Sequence, residues 1–394
     1  MIPPCDHEKD NFSPRSISLS SQPSSLLSLP SFGDSHAQTQ SLHHCIATVR
    51  AHTPYVSTLL VAGNGSIYSG GPDQEIRLWP LQSLPSDAAP TSFTVAVSKS
   101  PVKSVAVSAD NLFSSHQDGK IRVWQISRRG RHCYKLRAVL PTAVDRFMSL
   151  LAPKNYVEVR RHRKCTWVHH VDAVSGLALS HDGAHLYSVS WDRALKVWRA
   201  ADFKCVESVA GAHQDAINAV AVSPDGHVYT GSADARINVW RWKSEEGKHS
   251  LVQTLERHRS AVNALALSAD GAVLYSGACD RAVVVWEGGG GRMAAAGALR
   301  GHKKAILCLA AAAAEEVVCS GSADSTVRVW RRQGGGRGWY ACLAVLEGHR
   351  GPVKSLAAAM EEETGSSWCM VVSGGMDCNI KVWRIPIPPP PLME

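Results

Sequence analysis

The chain has 394 residues, a formal net charge of +8, 44% hydrophobic and 19% charged residues, and no apolar run near the eighteen or so residues of a membrane span. Its eleven Cys include no C-x-x-C pair, which excludes a zinc ribbon or dithiol motif. An odd number of Cys set in apolar strands points to buried thiols in a reducing compartment, cytoplasmic, nuclear or both.

Residues 1–41 hold eleven Ser, five Pro and few large apolar residues. Such a segment cannot bury enough surface to offset its ordering entropy, so a disordered tail is expected. Its apolar patch, Leu26-Leu-Ser-Leu29, is too short for a signal-peptide core. Ser13-Pro14 is a candidate phosphorylation site, although a plain solvated tail is the simpler reading. From Cys45 onward short β patterns alternate with turn signals. Seven times an Asp is followed six residues later by Trp and preceded four residues earlier by Ser or Thr. These sets are Ser69, Asp73 and Trp79; Ser114, Asp118 and Trp124; Ser188, Asp192 and Trp198; Thr230, Asp234 and Trp240; Ser276, Asp280 and Trp286; Ser320, Asp324 and Trp330; and Ser373, Asp377 and Trp383. Seven equal spacings make the chain an internal repeat. In the fourth unit, residues 216–223 read as a strand, Pro224-Asp-Gly226 as a turn, and 227–232, 236–241 and 250–255 as three further strands. Four short strands in roughly 45 residues is the pattern of a propeller blade.

On these residues the chain resembles the WD40-repeat β-propeller family over about residues 43–385. The resemblance implies an all-β, seven-bladed ring in which His, Ser or Thr, Asp and Trp of a repeat form a hydrogen-bonded tetrad. The His position holds His52, His170, His213, His258, His302 and His349, and Ser98 in the second repeat, which makes blade two the weakest. The Asp that usually follows the Trp is absent; Pro80, Gln125, Arg199, Arg241, Glu287, Arg331 and Arg384 stand there. The tetrads read as scaffold rather than as metal ligands or catalytic bases. The resemblance also implies that the outer strand of one blade opens the next repeat. His44–Arg50 should therefore pair with the last blade and close the ring, with the propeller spanning 42–385 and a Pro-rich tail following at 386–394.

The successive Trp residues are 45, 74, 42, 46, 44 and 53 apart, so the second interval carries an insertion. If residues 131–140 are the outer strand of blade two, the extra chain is about 141–168 and opens on the face that in this family binds partners. If residues 165–169 are that strand, it lies on the opposite face. Residues 126–168 contain eleven Lys or Arg and two acidic residues, a charge of +9, which leaves −1 for the rest. Residues 145–151 read as a short helix ending before Pro153, and 155–164 as a basic extended stretch containing Arg160, Arg161, Arg163 and Lys164. A solvated basic loop, a dock for an acidic protein segment, a phosphate-backbone contact and a nuclear-import patch are all compatible with it.

In the family the residue before each turn Asp lies on the top face. Trp191 and Met376 are the large apolar ones there, either interface anchors or packed on a neighbouring blade. Residues just after the tetrad His add Tyr55, Asp172, Asp215, Arg259, Lys303, Lys304 and Arg350, acidic on blades three and four and basic on five to seven. Gly288–Gly291 and Gly334–Gly336 lack phosphate-loop grammar, and Pro386–Pro391 reads as polyproline II. No nucleophile motif, metal cluster or cofactor motif is found outside the tetrads, so neither enzyme activity nor a cofactor is expected. The expectation is a monomeric propeller within complexes, off the membrane, whose partners are proteins with an acidic segment; nucleic acid is the alternative. The insertion string 153–163 and His170-Val-Asp-Ala-Val-Ser-Gly176 resemble plant WD40 proteins of the Jingubang type, which implies a regulatory role in cytoplasm and nucleus, with pollen development as its setting.

Overall fold

The computed structural model describes residues 31–32, 43–63, 65–80, 92–108, 110–127, 133–150, 156–160, 163–243, 245–312, 317–333, 339–363 and 366–388. Seven sheets, each built on four antiparallel strands, form a seven-bladed propeller, each innermost strand packing on the next and the last returning to the first. Blade four is representative, with Ile217–Val222 innermost, then Val228–Ser232, Arg236–Lys243 and Lys248–Glu256 outermost. Its second strand is buried along its whole length. A blade sandwiched between two neighbours covers both faces of that strand, which is why its residues are small or apolar throughout rather than alternating. The inner strands of the others begin at Thr58, Val102, Val174, Val262, Ile306 and Val353.

The turn between the second and third strands is the same in every blade. The residue after the turn Asp has positive φ: 71° at Gln74, 68° at Arg193 and Ala235, 70° at Arg281 and Ser325, and 69° at Cys378, with Gly119 at 74° in blade two. A side chain in that region costs roughly 1–2 kcal/mol. The Asp offsets the cost by accepting the backbone N–H two residues on, as Asp234 does from Arg236 at 3.0 Å. We call the face bearing these turns the top.

Each repeat Trp lies on the blade before its own. Trp330 packs with Val273, Tyr275 and Val285 of blade five, and Trp79 with Met370, Val372 and Val382 of blade seven. The N-terminal strand His44–Arg50 pairs antiparallel with Asn379–Ile387, with Cys45 opposite Trp383 and Arg50 opposite Asn379. Blade seven is thus assembled from both ends of the chain, and no blade-seven edge is left without its fourth strand.

Four features differ from expectation or were left open by the sequence. The strand Cys133–Leu140 pairs with Ile121–Ser127, Leu140 opposite Ile121 beside the Asp118 turn, so the inserted chain leaves blade two at the top. Residues 165–169 do not supply that strand; Arg163–Thr166 pairs instead with Tyr156–Arg160 in a separate hairpin. The helix of the insertion, α1, spans Ala143–Leu150, starting two residues ahead of the expected 145. Thr142 is its cap: its hydroxyl accepts the Asp145 N–H at 3.1 Å, and the Asp145 carboxylate accepts the Thr142 N–H at 3.3 Å. The last strand runs to Ile387, past the expected limit of 385, because the long hairpin Val353–Glu363 and Ser366–Gly375 offers Ser367 and Trp368 as partners. Finally, Ser31–Phe32 forms a strand inside the segment expected to be unstructured. Ser13-Pro14, Gly334–Gly336 and residues 389–394 lie outside the described residues. No helix among the described residues is long and apolar enough to cross a membrane.

Candidate functional site

The repeat residues meet as a chain of donors. In blade four the Trp240 indole N–H donates to Thr230 Oγ1 at 2.9 Å, Thr230 Oγ1 lies 2.8 Å from His213 Nε2, and His213 Nδ1 lies 3.0 Å from Asp234. The order of donors sets the tautomer. The hydroxyl, already accepting from Trp, donates to Nε2, so the ring proton sits on Nδ1 and goes to the carboxylate. The same set recurs around His52, His170, His258, His302 and His349, with His–carboxylate distances of 2.8, 3.0, 2.9, 3.0 and 3.0 Å. The carboxylate also accepts the N–H following the His, for example Lys303 to Asp324 at 2.8 Å and Arg350 to Asp377 at 2.9 Å. Burial works to raise the Asp192 carboxyl, but bonds from His170 and the amides of Val171 and Ala194 bring it down to about 2. Burial lowers His52, His170, His213 and His349 against the pull of their carboxylates, so the rings stay neutral.

Blade two solves the same problem with different residues, and its missing His is not missing. His116, two residues after Ser114, turns its Nε2 onto the Ser114 hydroxyl at 2.8 Å while Trp124 donates to that hydroxyl at 2.9 Å. Its Nδ1 faces the Ser100 carbonyl at 3.0 Å and the Ser98 hydroxyl at 3.3 Å. Asp118 is released from the tetrad and grips the Arg122 guanidinium, with 2.8 Å to Nη2. The expectation that Ser98 leaves the blade without a His is therefore corrected: His116 supplies the ring from the second strand. The signal was present in Ser114-Ser-His-Gln-Asp118, but nothing in spacing says that a ring two residues from its hydroxyl can replace one sixteen residues away.

On the top face Trp191 is 39% and Met376 46% exposed, so neither is packed away on a neighbouring blade. Arg259, Lys303, Lys304 and Arg350 are exposed, and Tyr55 and Asp172 half-buried. Tyr55 and Trp191 stand at a cavity of about 290 Å³ at the ring centre, lined also by Lys103 and Lys354. The Lys103 ammonium sits 4.8 Å over the Trp191 ring. Burial, then the neighbouring Lys354 charge, lower the Lys103 pKa against the pull of Asp172. Among the described residues neither ammonium has a hydrogen-bonded carboxylate. The sequence reading missed both lysines; they follow Val102 and Val353 at the position where the other blades place Ser57, Ser175, Asn218, Asn263 and Leu307.

The backbone at Arg160, Arg163 and Lys164 belongs to the hairpin of the insertion, whereas Arg161 lies outside the described residues. On α1, Val144 and Phe147 are exposed at 69% and 63%. Among the described residues no three His, Cys, Asp or Glu are grouped to hold a metal ion. Burial holds the Cys205 and Cys308 thiols up at about 12, which makes them core side chains rather than nucleophiles.

The family described as "WD domain, G-beta repeat" matches residues 43–80, 91–125, 162–199, 203–241, 249–287, 295–331 and 340–384. The third match opens inside the insertion, although the strand that completes blade two is Cys133–Leu140. An uncharacterized WD repeat-containing protein of Schizosaccharomyces pombe is 37% identical over 76 residues, 19% of this chain and 14% of that protein. Nuclear distribution protein PAC1 of Ajellomyces capsulatus is 25% identical over 204 residues, 46% of this chain and 38% of that protein. The chain thus matches well under half the length of these relatives. Propellers of this kind typically bind proteins and serve as scaffolds. With seven matched repeats covering most of the ring, and a tetrad or its blade-two substitute in every blade, the chain belongs to the WD40 repeat family.

Proposed function

We propose that this chain is a non-catalytic regulatory scaffold that docks a partner protein through an acidic segment on its top face. The carrying observation is the channel mouth, where Lys103 lies over the exposed Trp191 ring and Lys354 stands nearby without a carboxylate bonded to it. An aromatic platform beside two ammonium groups suits an aliphatic or aromatic side chain next to a carboxylate. Tyr55, Met376, Arg259, Lys303, Lys304 and Arg350 form the rim of that surface. The basic insertion, with Arg160, Arg161, Arg163 and Lys164, speeds encounter with the acidic partner, while the desolvated Trp191 supplies residence time. The insertion string and the His170 loop support a place among plant regulatory WD40 proteins of the Jingubang type, acting in cytoplasm and nucleus, with pollen development as the setting.

The test is affinity capture with the wild-type chain, a variant with Arg160, Arg161, Arg163 and Lys164 replaced by Ser, and Trp191→Ala. With a captured partner, the Ser variant should associate more slowly and with a flatter salt dependence, and Trp191→Ala should dissociate faster. Retention of every partner by both variants, with folding verified, sinks this surface. The charge of +9 in residues 126–168 also favours a second reading, nucleic-acid binding. In that case capture is lost on nuclease treatment and the log–log salt slope is steep and indifferent to sequence.

A further inference from the structure

Blade five has a fifth strand. Ser31–Phe32 pairs parallel with the outer strand Arg292–Leu299, Ser31 opposite Ala298 and Phe32 opposite Leu299. It also lies beside the outer strand of blade six, Trp339–Leu346. This contact lies on the rim, away from the channel mouth, and does not depend on the reading given above.

The composition of the outer edges narrows where it can form. An open edge presents a row of backbone N–H and C=O groups that will pair with any extended chain, and charged residues are the usual defence. Cys133–Leu140 carries Lys135 and Arg137; Cys205–Val209 carries Glu207; Lys248–Glu256 has a charge at each end; and His44–Arg50 ends in Arg. After Arg292 the blade-five strand reads Met-Ala-Ala-Ala-Gly-Ala-Leu, without one charge, while Trp339–Leu346 of blade six and Phe93–Val97 of blade one have none at all; charge thus leaves three open edges, and the pairing falls on that of blade five. The tether is long enough to reach. Phe32 and His44 are twelve residues apart, an extended reach of roughly 40 Å.

We propose that the outer edge of blade five is a strand-accepting site, and that its resident is the chain's own Ser31–Phe32 segment. The recognition is main-chain pairing in parallel register at Ala298 and Leu299, the mode by which exposed sheet edges bind extended peptides. A partner strand can use this edge only by displacing the N-terminal segment, so that segment guards the site.

Hydrogen–deuterium exchange on the full-length chain tests this. Ser31→Pro combined with Phe32→Pro removes both N–H donors and disfavours pairing without shortening the tether. Exchange in residues 294–299 should become severalfold faster in the variant, while Lys248–Glu256 and Cys133–Leu140 exchange as in wild type. A synthetic peptide of residues 26–36, added in excess to the variant, should restore slow exchange at 294–299; the same peptide carrying both prolines should not. Equal exchange at 294–299 in wild type and variant overturns the proposal, as does acceleration spread alike over all blades or a native peptide that restores nothing.

Discussion

In six blades a single hydroxyl ties strands to a loop, because the Ser or Thr accepts from the Trp on its own third strand and donates to a His from the preceding loop; in blade two the ring is His116 of the second strand. In the six the carboxylate then anchors the His and the turn. Asp234→Ala should leave His213 and the amides of Gln214 and Arg236 unpaired, costing about 1–3 kcal/mol in denaturant melts. Asp118→Ala should cost a similar amount for another reason: it strands Arg122, which is only 8% exposed, rather than a His. His116→Ala should destabilise about as much as His213→Ala; a neutral His116→Ala sinks the view that this ring replaces the tetrad His. The same residue carries a pH dependence. Burial, then the Arg122 charge, lower the His116 pKa from 6.5 to about 4. As pH falls from 6.5 toward 4 the unfolded chain takes up the proton and the folded chain does not, so stability is full above that window and drops by about 3 kcal/mol across it. Asp192, lowered to about 2, acts in a separate window, keeping its contribution above pH 3.8 and losing it as pH falls through 2. Urea melts at pH 7 and pH 4.5 should show a smaller pH penalty for His116→Asn than for wild type; an equal penalty assigns the titration elsewhere.

Neighbouring blades are joined at the channel wall by side chains that reach across to the first strand of the next blade. Ser175 donates to the Ile217 carbonyl, Asn218 to Val262 at 3.0 Å, and Asn263 to Ile306 at 2.8 Å. Among the described residues the ring of bonds lapses at blade one, where the buried Ser57 hydroxyl has no partner, at blade two, where Lys103 turns to Trp191, and at blades six and seven, where Leu307 and Lys354 hold the position. Asn263→Ala should therefore cost about 1 kcal/mol, and Ser57→Ala should be neutral or stabilising, since an unmade bond to a buried hydroxyl is a penalty. Thermal melts of the two variants check the pair. A larger loss for Ser57→Ala would mean that its hydroxyl is satisfied after all. These positions were visible in the sequence as equivalent places in the repeat, yet Ser, Asn, Lys and Leu all occupy them, and pattern alone does not say which reach a carbonyl.

For the whole molecule the decisive contact is the pairing of His44–Arg50 with Asn379–Ile387, because without it blade seven is three strands with an open edge. A chain lacking residues 1–41 loses only the Ser31–Phe32 strand among described elements and should melt close to wild type. A chain lacking residues 1–50 loses the closing strand, with Val49 buried at 6% exposure, and should melt far lower. Equal melting of the two truncations contradicts closure as the source of ring stability. Because each repeat Trp packs on the preceding blade, opening the ring also strips Trp79 of its Met370, Val372 and Val382 contacts.

The sequence by itself determined the repeat number, because Ser or Thr, Asp and Trp recur at one local spacing seven times; the tetrad and the closing strand followed from the family that this spacing resembles. Tertiary structure alone decided the rest. That His116 takes over in blade two, that Asp118 turns to Arg122, and that Lys103 settles over Trp191 of the next blade depend on which side chains meet across strands and blades, and distance along the chain does not encode that. The face from which the insertion leaves required the pairing of Leu140 with Ile121, since two stretches of similar character competed for one edge. The hold of Ser31–Phe32 on blade five was invisible for the same reason. Composition marks a Ser- and Pro-rich segment as unable to fold alone, but says nothing about an uncharged edge elsewhere in the ring that accepts it.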